Sequence, residues 1–260
     1  MTKEEQLMYL IKYLLEEEIE YKDIQIPKDI ASQKYLLRSL FNVRMPSKVS
    51  EKFLKIQDTY LQSEIKEKGI VDSDNFKPTK YDDRMYLYQG DITTLKIDAI
   101  VNAANSQMLG CFQPNHNCID NIIHTLSGVE LRLECDEIMK KQNNLEKTGQ
   151  AKITSAYNLP CKYIIHTVGP IITDEIREID RKLLQSCYKS CLEIASKNNI
   201  KSIAFCCIST GVFKFDQREA AKIAIDTVSE FLKDDDMIEK VVFDVFLDKD
   251  REIYEELLGI

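Results

Sequence analysis

The chain has 260 residues, 44% of them apolar and 30% charged, with a net charge of −8. That composition allows a sizeable buried core and excludes long disorder, and its acidity excludes general nucleic-acid binding, which rests on cationic contacts to phosphate. No apolar run approaches the ~20 residues that span a bilayer, and the amino-terminal MTKEEQLMYLIKYLLEEE is studded with acids and followed by no small-residue cleavage site, so the expectation is a cytoplasmic protein with no membrane or nucleic-acid partner.

Residues 1–80 read as a helical extension. MYLIKYLLEEEIE has apolar residues at helical spacing. IASQKYLLRSLFNV continues after Pro27 and Asp29, which suit a helix start. PSKVSEKFLKIQDTYLQSEIKEKG places Pro46 near a first turn and Gly69 near an end. These 80 residues balance 14 basic against 14 acidic side chains, so the whole net charge lies in residues 81–260.

From about residue 84 the texture alternates between strand and helix. The strands are MYLYQ, IDAIVNAAN, QAKITSAY, KYIIHTVGP, SIAFCCIST and VVFDVFL. The helices are CIDNIIHTLSGVELRLECDEIMKKQ, REIDRKLLQSCYKSCLEIASKNN, QREAAKIAIDTVSEFLKD and DREIYEELLG. This succession predicts an α/β sandwich on a mostly parallel central sheet. Ligands of such sheets bind beyond the carboxyl ends of the strands. Four segments of unusual polarity stand there: GDIT, NAANSQMLG, HTVGP and STGVF.

Each segment offers chemistry and a plainer alternative. Asp91 of GDIT is an N-cap by itself; it is also a carboxylate able to accept from a ligand amine. Asn102 and Asn105 bracket two small residues at a strand end, where one Asn alone would be ordinary turn chemistry. In STGVF, Gly211 lets a backbone approach a ligand, and successive amides there can hold a phosphate. GCFQPNHNCIDNIIH concentrates Cys111, His116 and Cys118 in eight residues, with Pro114 and Asn115 favouring a turn between them. Thiolate and neutral imidazole are good zinc ligands at such local spacing; two buried thiols beside a surface histidine is the alternative. Only three donors stand close together, whereas a structural zinc takes four protein ligands and a catalytic zinc keeps a position open. The other six of the eight cysteines read as small hydrophobes of a chain without disulfides. His124 and His166 read as buried helix and strand residues.

Taken together, GDIT, IVNAAN, CIDNIIH, TGQAKIT, YNLP, YIIHTVGP and STGVF resemble the macrodomain family, in family order, over about residues 84–258. The glycine-rich loop usual before the V-D-x-x-I-H helix is replaced by GCFQPNHNC, which is similar to the zinc-dependent macrodomains of bacteria and fungi, and these also carry a helical amino-terminal extension. The resemblance implies a three-layer α/β/α sandwich over residues 81–260 that binds ADP-ribose. It implies that Asp91 accepts from the adenine amine with the Ile92 amide beside it. Asn102 and Asn105 would face the distal ribose. Ser209, Thr210, Gly211, Val212 and Phe213 would form the pyrophosphate and ribose loop. Zinc would be the cofactor, held by Cys111, His116 and Cys118. Asp120 and Asn105 would be catalytic, orienting water and the reacting oxygen. Many relatives read GVFGFP where this chain reads GVFKFD, so Lys214 and Asp216 depart from the pattern. The implied activity is zinc-dependent removal of mono-ADP-ribose from modified proteins, of ADP-ribosylglycohydrolase type, in association with a sirtuin-type ADP-ribosyltransferase system. Two alternatives stay open: an ADP-ribose reader with a structural zinc, and an O-acetyl-ADP-ribose deacetylase.

Overall fold

A computed structural model describes every residue from Met1 to Ile260. Three helices open the chain: α1 (Lys3–Glu17), α2 (Ile30–Val43) and α3 (Glu51–Lys68). Thr2 and Glu5 form a capping box on α1, and the Asp29 carboxylate caps α2 by accepting from Ser32 N at 2.8 Å. Ser50, not Pro46, starts α3, by accepting from Phe53 N at 3.2 Å. A hydroxyl beside free amides stabilises that start more than a proline four residues upstream. Leu7, Leu10, Ile11, Leu37, Leu40, Phe53 and Leu61 close a small core between the three helices, and Val129 of the following region joins it.

Six strands make the central sheet: β2 (Met85–Gln89), β4 (Ala99–Ala104), β5 (Ala151–Ser155), β6 (Tyr163–Val168), β7 (Ser202–Phe205) and β8 (Lys240–Val245). Their spatial order is β2-β8-β7-β4-β6-β5, and every pair is parallel except β5 with β6. A two-residue parallel pair, β1 (Val71–Asp72) with β3 (Leu95–Lys96), lies outside the main sheet and carries no pattern a sequence reading could find. Helices α6 (Glu178–Lys197), α7 (Gln217–Asp234) and α8 (Asp248–Leu258) cover one face through Leu184, Tyr188, Ala224, Val228 and Tyr254. Helices α4 (Ile119–Ser127) and α5 (Val129–Gln142) cover the other through Ile123, Leu131 and Cys135. The result is the expected α/β/α sandwich, with the helical extension packed beside the α4–α5 layer. No helix is long and apolar enough to cross a membrane.

The single long helix expected over residues 118–142 is two helices. Gly128 breaks it at φ 99°, ψ 178°, and a Cβ there would stand 2.6 Å from the Gln57 side chain. Gln57 of α3 takes the free amide at the new start, with Val129 N donating to Oε1 at 2.9 Å. The apolar periodicity crosses the break unchanged, which is why it was invisible in sequence.

Because β2, β4, β6 and β7 run parallel, GDIT, NAAN, HTVGP and STGVF gather along one edge of the sheet. Their shared edge is therefore a consequence of strand direction.

Candidate active site

At one end of this edge, Asp91 caps a short 3₁₀ turn, Ile92–Thr94. Its Oδ1 accepts from Thr93 N at 2.9 Å and from the Thr93 hydroxyl at 2.5 Å. Oδ2 pairs with Lys68 from the end of α3. Burial would raise the carboxyl, but the Lys68 and Thr93 hydrogen bonds outweigh it and hold the pKa below its ordinary value. Asp91 is thus both a cap and an ionised acceptor at the mouth of the cleft. Ile92 is buried beside it.

In the middle of the edge, two carboxamides converge on Asp120 in the first turn of α4. Asn102 Nδ2 donates to Oδ1 at 2.8 Å, and Asn105 Nδ2 donates to Oδ2 at 3.2 Å. Asn102 is fully buried, and its second N–H meets His166 Nδ1 at 3.0 Å. An amide nitrogen has only hydrogens to offer, so that ring nitrogen accepts. His166 then carries its proton on Nε2, 2.9 Å from the Thr154 hydroxyl. Asn102 is therefore buried between Asp120 and His166, and does not face outward where the resemblance would put a ribose. Asn105 also donates to Gly110 O at 3.0 Å and accepts from Gln107 N at 2.9 Å, so it holds the turn leading into the cysteine loop. Burial pushes the Asp120 carboxyl up to about 6, against the lowering from Asn102 and Arg132.

His124 and His166 are buried, as expected. Burial first, then the neighbouring His166, hold the His124 pKa far below the ordinary value. Its approach to Asp120, 3.6 Å, is thus the contact of a neutral ring and not an ion pair. Neither ring nitrogen of His124 has a hydrogen-bond partner in the protein.

The cysteine loop has the geometry its composition suggests. His116 N donates to Gln113 O at 3.3 Å, with Pro114 and then Asn115 at φ 54° between them. Proline followed by a left-handed residue is the pattern of a type II turn. The turn folds His116 back, and the donor atoms of Cys111, His116 and Cys118 all lie within 4.8 Å of one another. Cys111 Sγ is 3.7 Å from His116 Nδ1. Two sulfurs and one imidazole nitrogen that close fit a zinc ion. Burial pushes the Cys118 thiol up to about 12, so it is protonated at neutral pH unless a cation displaces the proton, as metal binding does.

Several residues that hold this loop carried no signal in the sequence. Asn121 donates to Cys111 O at 3.2 Å and to Gln113 O at 3.0 Å. Arg132 donates to Leu109 O at 2.7 Å, and its guanidinium lies 4.4 Å from the Phe112 ring centroid. From the extension, Arg38 donates to His116 O at 2.7 Å, and Asn42 Oδ1 accepts from Asn115 N at 2.8 Å. The extension residues are more than 70 positions away in the chain, beyond any local spacing rule.

After β7, Ser209 turns the chain at φ 66° and Phe215 N returns to Ser209 O at 3.0 Å. Phe215 is buried and anchors the loop, Thr210 Oγ1 donates to Cys207 O at 3.1 Å, and Phe213 O accepts from Ile172 N at 2.9 Å. Gly211 and Val212 are exposed at the tip. Lys214 is exposed at φ 59°, a backbone conformation that favours glycine.

A mostly parallel α/β/α sandwich with its polar strand-end segments on one edge, an acid at one end and a thiol–imidazole loop at the other, defines a class of ligand-binding α/β domain. Within that class, the chain belongs to the macro domain family, whose profile matches residues 101–224. It is 52% identical, over the whole of both chains, to a protein-ADP-ribose hydrolase of Treponema medium. It is 50% identical to a protein-ADP-ribose hydrolase of Staphylococcus aureus strain MRSA252, over 96% of this chain and 94% of that one. The Trypanosoma brucei macrodomain solved in complex with ADP-ribose is 28% identical, with a TM-score of 0.67, over 85% of this chain and 95% of that chain.

Proposed function

We propose that the protein is a zinc-dependent hydrolase that removes mono-ADP-ribose from modified proteins. The observation that carries this reading is the placement of Asp120, a buried carboxylate gripped by two carboxamides, two residues from Cys118 of the thiol–imidazole cluster. Full-length similarity to chains named protein-ADP-ribose hydrolase supports it. As in the resemblance, the modifying partner would be a sirtuin-type ADP-ribosyltransferase system.

The ligand lies along the strand-end edge. Asp91, ionised by Lys68 and Thr93, accepts from the adenine amine, with the Ile92 amide beside it. The backbone of Ser209–Phe213, exposed at Gly211 and Val212, follows the pyrophosphate, and Gly211 leaves room for close approach because nothing lies within 4 Å of a Cβ built there. The distal ribose then meets the cysteine loop. Cys111, His116 and Cys118 would hold the zinc, which would supply Lewis acidity at that end. Asp120, with a pKa of about 6, is mostly ionised at neutral pH and still basic enough to take a proton. It orients a water and accepts its proton as the oxygen attacks the anomeric carbon. The ester-like bond to the protein side chain breaks, and the side-chain oxygen leaves. Asn102 and Asn105 keep the carboxylate from rotating during this exchange.

The test is release of ADP-ribose from a mono-ADP-ribosylated protein, with and without a chelator. Release that stops on chelation and returns with zinc supports the hydrolase. Tight ADP-ribose binding with no release from any linkage leaves a reader with a structural zinc. Turnover confined to O-acetyl-ADP-ribose makes the protein a deacetylase.

A further inference from the structure

The helical extension makes directed contacts with the cysteine loop, and they come from one face of α2. Arg38 Nη2 donates to His116 O at 2.7 Å and to Asn121 Oδ1 at 3.1 Å. Asn121 in turn donates to Cys111 O. One guanidinium nitrogen therefore ties the backbone of one donor residue directly, and that of a second through a single side chain. Four residues further along α2, Asn42 accepts from Asn115 N and donates to Thr125 Oγ1 at 2.8 Å, while Ser39 meets the Asn115 side chain. Thr125 donates to Asn121 O at 2.7 Å and closes the circuit.

The loop needs such support. Residues 111–118 contain no helix or strand, and Gln113, Pro114 and Asn117 are exposed. Closing three donors round an ion fixes the backbone of a segment that is otherwise free, at a cost of order 1 kcal/mol per residue. Contacts that hold the loop before the ion arrives reduce that cost, as outer partners of metal ligands do. The charge is compatible as well. Two thiolates neutralise a divalent ion, so the Arg38 guanidinium faces a centre with no net charge.

We infer that α2 is a mould for the metal loop and that Arg38 is its main positioning residue, setting the zinc affinity of Cys111, His116 and Cys118 from outside the macrodomain fold. This rests on the zinc reading of the loop. The extension is thereby part of the site, and not only a stabilising appendage.

The experiment measures zinc affinity of the full chain by competition with a chromophoric chelator, for wild type, Arg38→Ala, Arg38→Lys, Arg38→Ala with Asn42→Ala, and Lys34→Ala. Lys34 pairs with Glu64 at 2.8 Å within the extension, away from the loop, and serves as the control. The folded Arg38→Ala protein is expected to bind zinc about 10- to 100-fold more weakly. Arg38→Lys should fall between it and wild type, the double change should be weaker again, and Lys34→Ala should match wild type. Turnover of Arg38→Ala should recover towards the wild-type value at saturating zinc, and Arg38→Lys should recover at a lower zinc concentration than Arg38→Ala. Should the double variant fail to fold, the two single changes at Arg38 still decide. Zinc-binding wild type with Arg38→Ala and Arg38→Lys within about twofold of it overturns the positioning role alone. A wild type that takes up no zinc overturns the loop reading and this inference with it.

Discussion

The cysteine loop and the loop after β7, which share the strand-end edge, are built on opposite plans. The cysteine loop, residues 111–118, is held by Arg38 and Asn42 from α2 and Asn121 from α4, with the Arg132 guanidinium against its Phe112 ring, and the two residues leading into it are held by Arg132 at Leu109 O and Asn105 at Gly110 O. The loop after β7 is held only at its base, by Thr210, Phe213 and the buried Phe215, and its tip of Gly211 and Val212 stands in solvent. Chemistry needs donors set to a fraction of an ångström before the substrate arrives, whereas a loop that wraps a flexible pyrophosphate needs exposed amides and freedom to close. On the proposed function, the same fold edge would separate a part that reacts from a part that grips, and the difference observed is in how many foreign side chains hold each backbone.

The largest break in this comparison is removal of the donors. Cys111→Ser with Cys118→Ser should take zinc from about one per chain to none by elemental analysis. Turnover should fall by about 10³-fold or more, because a Lewis acid contributes several kcal/mol to the transition state. Zinc-free protein with wild-type turnover would mean the held loop has another purpose.

The adenine end should show a loss of binding. Asp91→Ala removes an ionised acceptor, and calorimetry should find ADP-ribose weakened by roughly 10- to 100-fold, the equivalent of about 1.5–3 kcal/mol. Lost capping of the Thr93 amide should lower stability by about 1 kcal/mol as well. Unchanged affinity in the folded variant would leave Asp91 as a cap paired to Lys68.

Paired glycine substitutions sharpen the contrast between the loops. Gly110 has φ 78°, and a Cβ there would stand 2.7 Å from the buried His124 ring. Gly110→Ala should therefore cost about 2 kcal/mol or more of stability in a denaturant titration. Gly211 has nothing within 4 Å, so Gly211→Ala should cost less than about 0.5 kcal/mol. Equal costs would erase the distinction. The smallest effect belongs to Lys214. Its side chain is exposed, so Lys214→Gly should leave ADP-ribose affinity and its salt dependence unchanged. A reduced salt slope would put the ammonium near the pyrophosphate.

Much of the fold was legible because strands and helices alternate with clean periods, and parallel order places GDIT, NAAN, HTVGP and STGVF on one edge. The turn inside the cysteine loop was legible too, since Pro114 and Asn115 specify it. The break at Gly128 was not, because its cause is the side chain of Gln57 on another helix. The place of Asn102 was missed for a similar reason. A carboxamide at a strand end looks the same whether it faces solvent or, as here, reaches Asp120 and His166 in the interior. Arg38 and Asn42 read as ordinary helix residues; only packing of α2 against α4 gives them a partner. Local rules find the donors, and tertiary contacts decide what holds them.

The most direct measurement of the central claim is single-turnover release of ADP-ribose by zinc-loaded Asp120→Ala, read beside its zinc content and its ADP-ribose affinity. The variant leaves Cys111, His116 and Cys118 in place but removes the group on which Asn102 and Asn105 converge. It should keep about one zinc and bind ADP-ribose within roughly tenfold of wild type, while release slows by about 10²-fold or more, the usual scale for a positioned acid–base group. Release at the wild-type rate from a zinc-loaded variant would contradict the account and remove Asp120 from the chemistry.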